Sequence, residues 1–289
     1  MLKPRSYEGV ATIDENRQQH SEHCGLCGGV LTYLEESAPF ACSLCGRSEV
    51  GHVHCAEGHY LCEACHGAAI RELLPELLKS SHEASARDLA ERLLTLPQLP
   101  MLGCEHALVA AGALMASLKN RGDLGVTERH VAEVLQRTER QAISAYCGLS
   151  GVCGVVPALG ACYSVLVGAQ CGKGPETRAT MELVSRLAAV TAEEAESGCC
   201  KAFVRSCLAE SEAFMKERLG IDFSETNAVV CSDVGRHPHG CRGPACDYHP
   251  DRRSLRAQAE PEAEPTDEQN VQTTGCFEAA TLVEAASGG

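Results

Sequence analysis

Three Cys-x-x-Cys pairs crowd a short N-terminal stretch, Cys24/Cys27, Cys42/Cys45 and Cys62/Cys65, and Cys55-x-x-x-His59 stands between the last two. Two residues between cysteines let one tight turn present both thiolates to an ion, and two such turns supply a tetrahedral site. Glycines flank these turns in CGLCGG and CSLCG, where knuckle backbones take unusual dihedrals. Cys24, Cys27, Cys42 and Cys45 have zinc-ribbon spacing, with fourteen residues between the pairs, which leaves Cys55, His59, Cys62 and Cys65 for a second ion. The string CAEGHYLCEACH also fits a cross-braced finger of the RING kind, in which Cys24/Cys27 would share an ion with Cys55/His59. Spacing leaves both pairings open. One or two zinc ions are expected, with rubredoxin-like iron as the alternative, since tetrahedral thiolate sites accept either. His52, His54 and His66 are read as neighbours of the sites rather than ligands.

Eleven more cysteines lie from Cys104 to Cys246. Val155, Val156 and Pro157 read as a helix start, because proline is accepted in the first turn. Cys153 would then stand at a helix N-terminus, where the dipole and free amides lower a thiol's pKa. Cys147, across a Gly-rich loop, would be its resolving thiol or a shared ligand. Cys199 and Cys200 open another helix beside Lys201. These four, Cys147, Cys153, Cys199 and Cys200, are the candidate reactive thiols. Cys231, Cys241 and Cys246 lie among Gly and Pro with His237, His239 and His249, where core filling cannot explain them. They are expected to hold a third metal ion or an iron–sulfur cluster, the fourth ligand coming from Cys147, Cys153, Cys199 or Cys200. Cys162, nine residues from both Cys153 and Cys171, faces the opposite side of a helix and is read as a core residue. Cys153 and Cys171, about 27 Å apart along a helix, cannot share one cluster. Cys207 fits a buried helix face or a thiol site equally. Glu105-His106 is read as a helix-start contact before acid–base or metal chemistry.

The elements that must position these groups are mostly helical. Apolar spacing predicts helices over Ala68–Lys79, Ser85–Leu96, Gly103–Lys119, Thr127–Tyr146, a segment after Cys153, Glu176–Val190 and Cys200–Leu219. At Thr127 the opening carries His130 where a capping box usually has Glu. The expected architecture is mainly α. A small zinc-ribbon or treble-clef-like metal module (21–67) follows a flexible N-terminus (1–20). An all-α cysteine-rich domain (68–250) comes next, then a disordered acidic tail (251–289). Aromatic content of 4% with no Trp leaves the core to Leu, Val, Ala and Cys.

The net charge of −14 argues against general affinity for nucleic-acid phosphates or anionic membranes. Val152–Ala169, the longest apolar stretch, is short for a bilayer span and carries Pro157 and three glycines, so no transmembrane segment is expected. Nineteen cysteines without an apolar N-terminal signal core point to reduced thiols in the cytoplasm. The expected partner is a protein or a small thiol- or metal-bearing substrate. GxSxG, P-loop, HExxH and properly placed GxGxxG motifs are missing from the sequence, so no specific enzyme class is supported.

The strings CGLSGVCGVVPALGACYSVLVG, CCKAFVRSCLAESEAFMKERLGIDF and CSDVGRHPHGCRGPACDYHP, in that order, resemble a cysteine-rich domain of unknown function, family 5714, found largely in anaerobic prokaryotes. The likeness covers most of residues 20–250, including the CxxC-rich N-terminal segment. HPHGC stands where the family usually has an Asn-Arg-x-x-Cys pattern, and GCEHALV carries a cysteine where proline is usual. The resemblance implies metal-linked redox or sulfur chemistry. Nine residues, GVCGVVPAL, also resemble the cluster-cysteine string of iron–sulfur L-serine dehydratases. The functional expectation is therefore a metal-binding accessory protein, with zinc and an iron–sulfur cluster, in thiol redox, sulfur or metal handling. A zinc-stabilised interaction scaffold and an iron–sulfur lyase-like enzyme are the alternatives.

Overall fold

A computed structural model describes residues 24, 26–27, 29–144, 146–195, 198–223 and 225–252. The expected flexible N-terminus and all but two residues of the expected acidic tail lie outside the described residues. The chain opens with an antiparallel hairpin, β1 (Leu31–Ala41) and β2 (Ser48–Cys55), paired from Leu31↔Cys55 to Ala41↔Ser48 with an irregularity between Tyr33 and Ala38. Phe40 stacks on Tyr60, ring centroids 5.0 Å apart, to form with Cys42 and Cys62 a small core. So few large side chains cannot hold a fold alone, which leaves cohesion to the cysteines.

Eight α-helices and a short 3-10 turn (Gly243–Ala245) follow among the described residues: α1 (Ala68–Lys79), α2 (Ala86–Leu94), α3 (Glu105–Arg121), α4 (Glu128–Glu139), α5 (Tyr146–Ser150), α6 (Val155–Val167), α7 (Gly174–Glu193) and α8 (Cys200–Leu219). The fold is mainly α, as the periodicity predicts. Ser85 caps α2 by accepting the Asp88 N–H at 3.2 Å. His130 Nδ1 accepts the Thr127 N–H at 3.1 Å, taking the Glu role at the start of α4. Gly220 ends α8 with φ 67°.

Helix α3 is the hub. Every residue from Glu105 to Leu118 is buried, so the helix is enclosed on all sides. Its alanines and Gly112 let neighbours approach closely: a Cβ on Gly112 would stand 2.5 Å from Leu78 Cδ1. Helices α1, α2, α4, α6 and α8 all pack on it. Cys162 is fully buried on α6 with Sγ 3.6 Å from the Ala111 carbonyl, a core cysteine as read from its helical phase. Among the described residues no helix is long and apolar enough to cross a membrane.

One boundary differs from expectation. The helix predicted over Thr127–Tyr146 stops at Glu139, and α5 starts afresh at Tyr146. Tertiary partners claim the residues between. A Cβ on Gly154 would lie 3.0 Å from the Ala142 Cβ, and the Ser144 N–H donates to Glu63 at 2.9 Å. Local periodicity carries no record of either contact.

Candidate metal centres

The N-terminal ligands converge into two sets, Cys24/Cys27/Cys55/His59 and Cys42/Cys45/Cys62/Cys65, each with its donor atoms within 4.8 Å of one another. The pairing is therefore the cross-brace. The zinc-ribbon pairing of Cys24/Cys27 with Cys42/Cys45 is not the one the fold makes, because the long hairpin carries Cys42/Cys45 from one site to the other. Hairpin register brings the Cys55 end of β2 back beside Leu31 and hence beside the first knuckle.

Edge lengths test the fit. Metal–sulfur bonds of about 2.3 Å in a tetrahedron put sulfurs about 3.8 Å apart. Cys27 and Cys55 Sγ are 3.7 Å apart, and Cys45 and Cys62 Sγ are 3.5 Å apart. His59 presents Nδ1, 3.8 Å from Cys24 Sγ and 3.5 Å from Cys55 Sγ. These are edges of tetrahedra that would each hold one ion. Backbone amides point at the sulfurs: Leu26 N–H donates to Cys24 at 3.5 Å and Gly29 N–H to Cys27 at 3.4 Å. The Cys62 and Cys45 amides draw the Cys42 thiol down to about 6. Hydrogen bonding with Cys62 and Cys45 pushes Cys65 up to about 12. Four thiols this close cannot all ionise by themselves; a cation makes four thiolates compatible. His52, His54 and His66 stand outside both sets, and His54 Nδ1 donates instead to the Cys55 carbonyl at 2.8 Å.

The module is joined to the helices through the second site's own knuckle. Glu63, inside Cys62-x-x-Cys65, accepts from Ser144 N–H and from Cys104 Sγ–H at 3.5 Å, and Ser144 Oγ donates to Cys104 Sγ at 3.2 Å. Arg71 binds Glu105 at 2.8 Å, which makes Glu105 the helix-start contact expected of it. Gly67 and Gly103 form the slot for this carboxylate: a Cβ on either would come within 2.4 Å of it, and both have positive φ. His106 is 1% exposed. Because a carbonyl only accepts, its Nδ1 donates to Gly103 O at 3.0 Å and Nε2 is a bare lone pair without a partner. Burial, with Lys201, Arg205 and His66 nearby, depresses its pKa to about 3, so the ring is neutral. Sequence reasoning missed Glu63 and the Gly103 turn; the position of Glu63 within a CxxC pair was the available signal.

All eighteen cysteines among the described residues are free thiols. The candidate reactive thiols are near enough to one another at the start of α8 for charge on one to act on the next. Cys200 Sγ donates to the Gly198 carbonyl at 4.0 Å, and burial pushes its thiol up, with charge on Cys153, Cys199 and Cys147 adding to the rise. Burial likewise pushes the Cys199 thiol up, with charge on Cys231 and Cys246 adding to the rise. Cys147 is exposed on α5. Cys153 sits just before α6 and accepts the Val155 N–H, yet burial outweighs that donor and the thiol rises to about 11. The expected lowering at this helix start is therefore corrected: desolvation of a thiolate exceeds what one amide and the dipole return. Cys171 is exposed beyond α6, and Cys207 is buried in the core.

The loop carrying Cys231, Cys241 and Cys246 is clamped to α8. Lys201 and Asp233 form a buried ion pair at 2.7 Å, and Ser206 Oγ meets Tyr248 Oη at 3.0 Å. Arg205 lies over the Tyr248 ring at 5.2 Å, while its guanidinium grips Glu91 through two hydrogen bonds of 2.6 and 2.9 Å. On the other side His239 meets the ring edge of Tyr33 from β1 at 5.3 Å. No third set of three ligands among the described residues closes to within 4.8 Å.

No curated protein and no solved structure matches the chain. A family of unknown function, DUF5714, matches residues 74–249, from inside α1 to the end of the clamped cysteine loop. That span takes in every helix from α2 to α8 and all the thiols of the second domain, and it leaves the cross-braced module outside. The chain belongs to this family of unknown function, DUF5714.

Proposed function

We propose that the chain is a metal-binding accessory protein in thiol redox, sulfur or metal handling, with zinc in both sites of the cross-braced module. One observation carries this reading: eight ligands, scattered over more than forty residues, meet as two tetrahedral sets with edges of 3.5–3.8 Å. Sites with four protein ligands and no open position suit a structural ion, whose binding energy is folding energy. The chemistry then belongs to the helical domain. Cys147, Cys153, Cys199 and Cys200 are its working thiols, and an iron–sulfur cluster on Cys231, Cys241 and Cys246 is its cofactor.

The partner is a protein that brings a thiol or a bound metal. Ile143, Tyr146, Leu149 and Val152 support this, since these large apolar side chains are exposed on either side of the exposed Cys147. Anaerobic purification followed by elemental analysis and UV–visible spectra tests the proposal. The expected result is two zinc ions per chain and a brown chromophore; a colourless protein holding only zinc removes the cluster, and one without metal removes the proposal. A second reading, a zinc-stabilised scaffold, rests on the same exposed patch. It requires that Cys153→Ser and Cys200→Ser leave partner binding intact while Cys42→Ser abolishes it.

A further inference from the structure

We infer that the second metal site controls how Cys147 is presented: an ion on Cys42, Cys45, Cys62 and Cys65 fixes Glu63, and Glu63 anchors the segment that carries this thiol. The inference rests on the reading of the module as metal-binding and of Cys147 as a working thiol, and names what regulates that thiol.

At the metal end, the shape of one turn is also the ligand geometry. Cys65 N–H and His66 N–H both donate to the Cys62 carbonyl, at 3.0 and 2.8 Å, and Glu63 sits inside the turn they form. From the hairpin side Glu49 accepts the Glu63 N–H at 3.1 Å and the Tyr60 O–H at 2.7 Å, which pins this backbone. The Cys45 and Cys62 sulfurs stand 3.5 Å apart, a separation that thiolates keep only around a cation. Emptying the site therefore opens the turn and moves Glu63.

The Glu63 carboxylate faces the helical domain. Its Oε1 accepts the Ser144 N–H at 2.9 Å and the Cys104 S–H at 3.5 Å, and Ser144 Oγ closes the triangle by donating to Cys104 Sγ at 3.2 Å. Arg71, in the first turn of α1, donates to the same sulfur at 3.5 Å. Ser144 is three residues before Cys147.

At the thiol end little else holds the chain. None of the five residues of α5 is buried. Among the described residues, the hydrogen bonds of Tyr146–Val152 stay local. Tyr146 N–H donates to Ile143 O at 3.3 Å, Ser150 Oγ to Tyr146 O at 2.8 Å, Gly151 N–H to Cys147 O at 2.8 Å and Val152 N–H to Ser150 Oγ at 3.3 Å. A helix this short does not persist without outside support. Ala142 supplies an apolar anchor by packing against Gly154, and Ser144 on Glu63 supplies the polar one. Without the second anchor, Cys147 and the apolar side chains around it hang on a tether from Ala142.

The test is hydrogen exchange by mass spectrometry on the full chain, read on peptides covering residues 140–152, with metal content measured alongside. Cys62→Ser, which empties the second site, should speed exchange there and open Cys104 to alkylation. Cys27→Ser, which empties the first, should leave both as in the wild type. Glu63 is not a ligand, so Glu63→Ala should keep both ions yet exchange residues 140–152 about tenfold faster or more. Glu63→Gln retains an acceptor for Ser144 and should restore the wild-type rate. A Glu63→Ala chain with both ions and unchanged exchange overturns the inference, as does protection that survives emptying of the second site. Where a variant fails to fold, the wild type decides: cobalt(II) is returned stepwise to the chelated chain, and its absorption distinguishes the four-sulfur site from the site with one imidazole. Protection of residues 140–152 should return with the four-sulfur band; its return with the other band overturns the inference. A chain that takes up no metal refutes the metal reading itself, a separate failure.

Discussion

Acidification should expose the cost of burying His106. The side chain is enclosed, its Nδ1–H is committed to Gly103 O, and its pKa falls from the ordinary 6.5 to about 3. For a base with a depressed native pKa the folded state binds fewer protons, so stability is complete above the unfolded value and is lost as pH falls from 6.5 towards 3. At pH 5 the unfolded histidine is almost wholly protonated and the native one is not. The penalty is RT ln(1 + 10^1.5), about 2 kcal/mol, against about 0.2 kcal/mol at pH 7. His106→Asn keeps a donor for the Gly103 carbonyl but cannot titrate. The assay is urea unfolding of both proteins at pH 7 and pH 5 with zinc in excess. Any cavity left by asparagine lowers stability at both pH values and cancels in the comparison. The wild type should lose about 2 kcal/mol more than the variant between the two pH values. Parallel losses would refute the claim that this ring is held neutral by burial.

Other consequences follow from the same contacts. Cys62→Ser should halve the zinc content and remove amide-exchange protection from β1 and β2, because the module's small core of Phe40, Tyr60, Cys42 and Cys62 cannot hold the hairpin without the second ion. Asp233→Ala leaves Lys201 buried and unpaired, and a loss of about 3–5 kcal/mol is expected in denaturant unfolding. Gly103→Ala forces a Cβ into the Glu105 carboxylate and should lower the melting temperature while making Cys104 more reactive to alkylation. In the metal-loaded native protein Cys147 and Cys171 should alkylate first, and Cys162 and Cys207 only on unfolding.

The sequence by itself determined what depends on neighbours along the chain. Period 3.6 located α1 and α8 to the residue, Gly220 marked the end of α8, and the phase of Cys162 put it in the core. CxxC spacing, with Cys55-x-x-x-His59, picked out the eight residues that the fold gathers into two sets able to hold an ion, because a short turn is a local property. Tertiary structure alone decided how those ligands are shared, since pairing depends on where a hairpin returns its far end. It also decided the state of Cys153: a helix start is visible in sequence, but the burial that raises its pKa comes from helices distant in the chain.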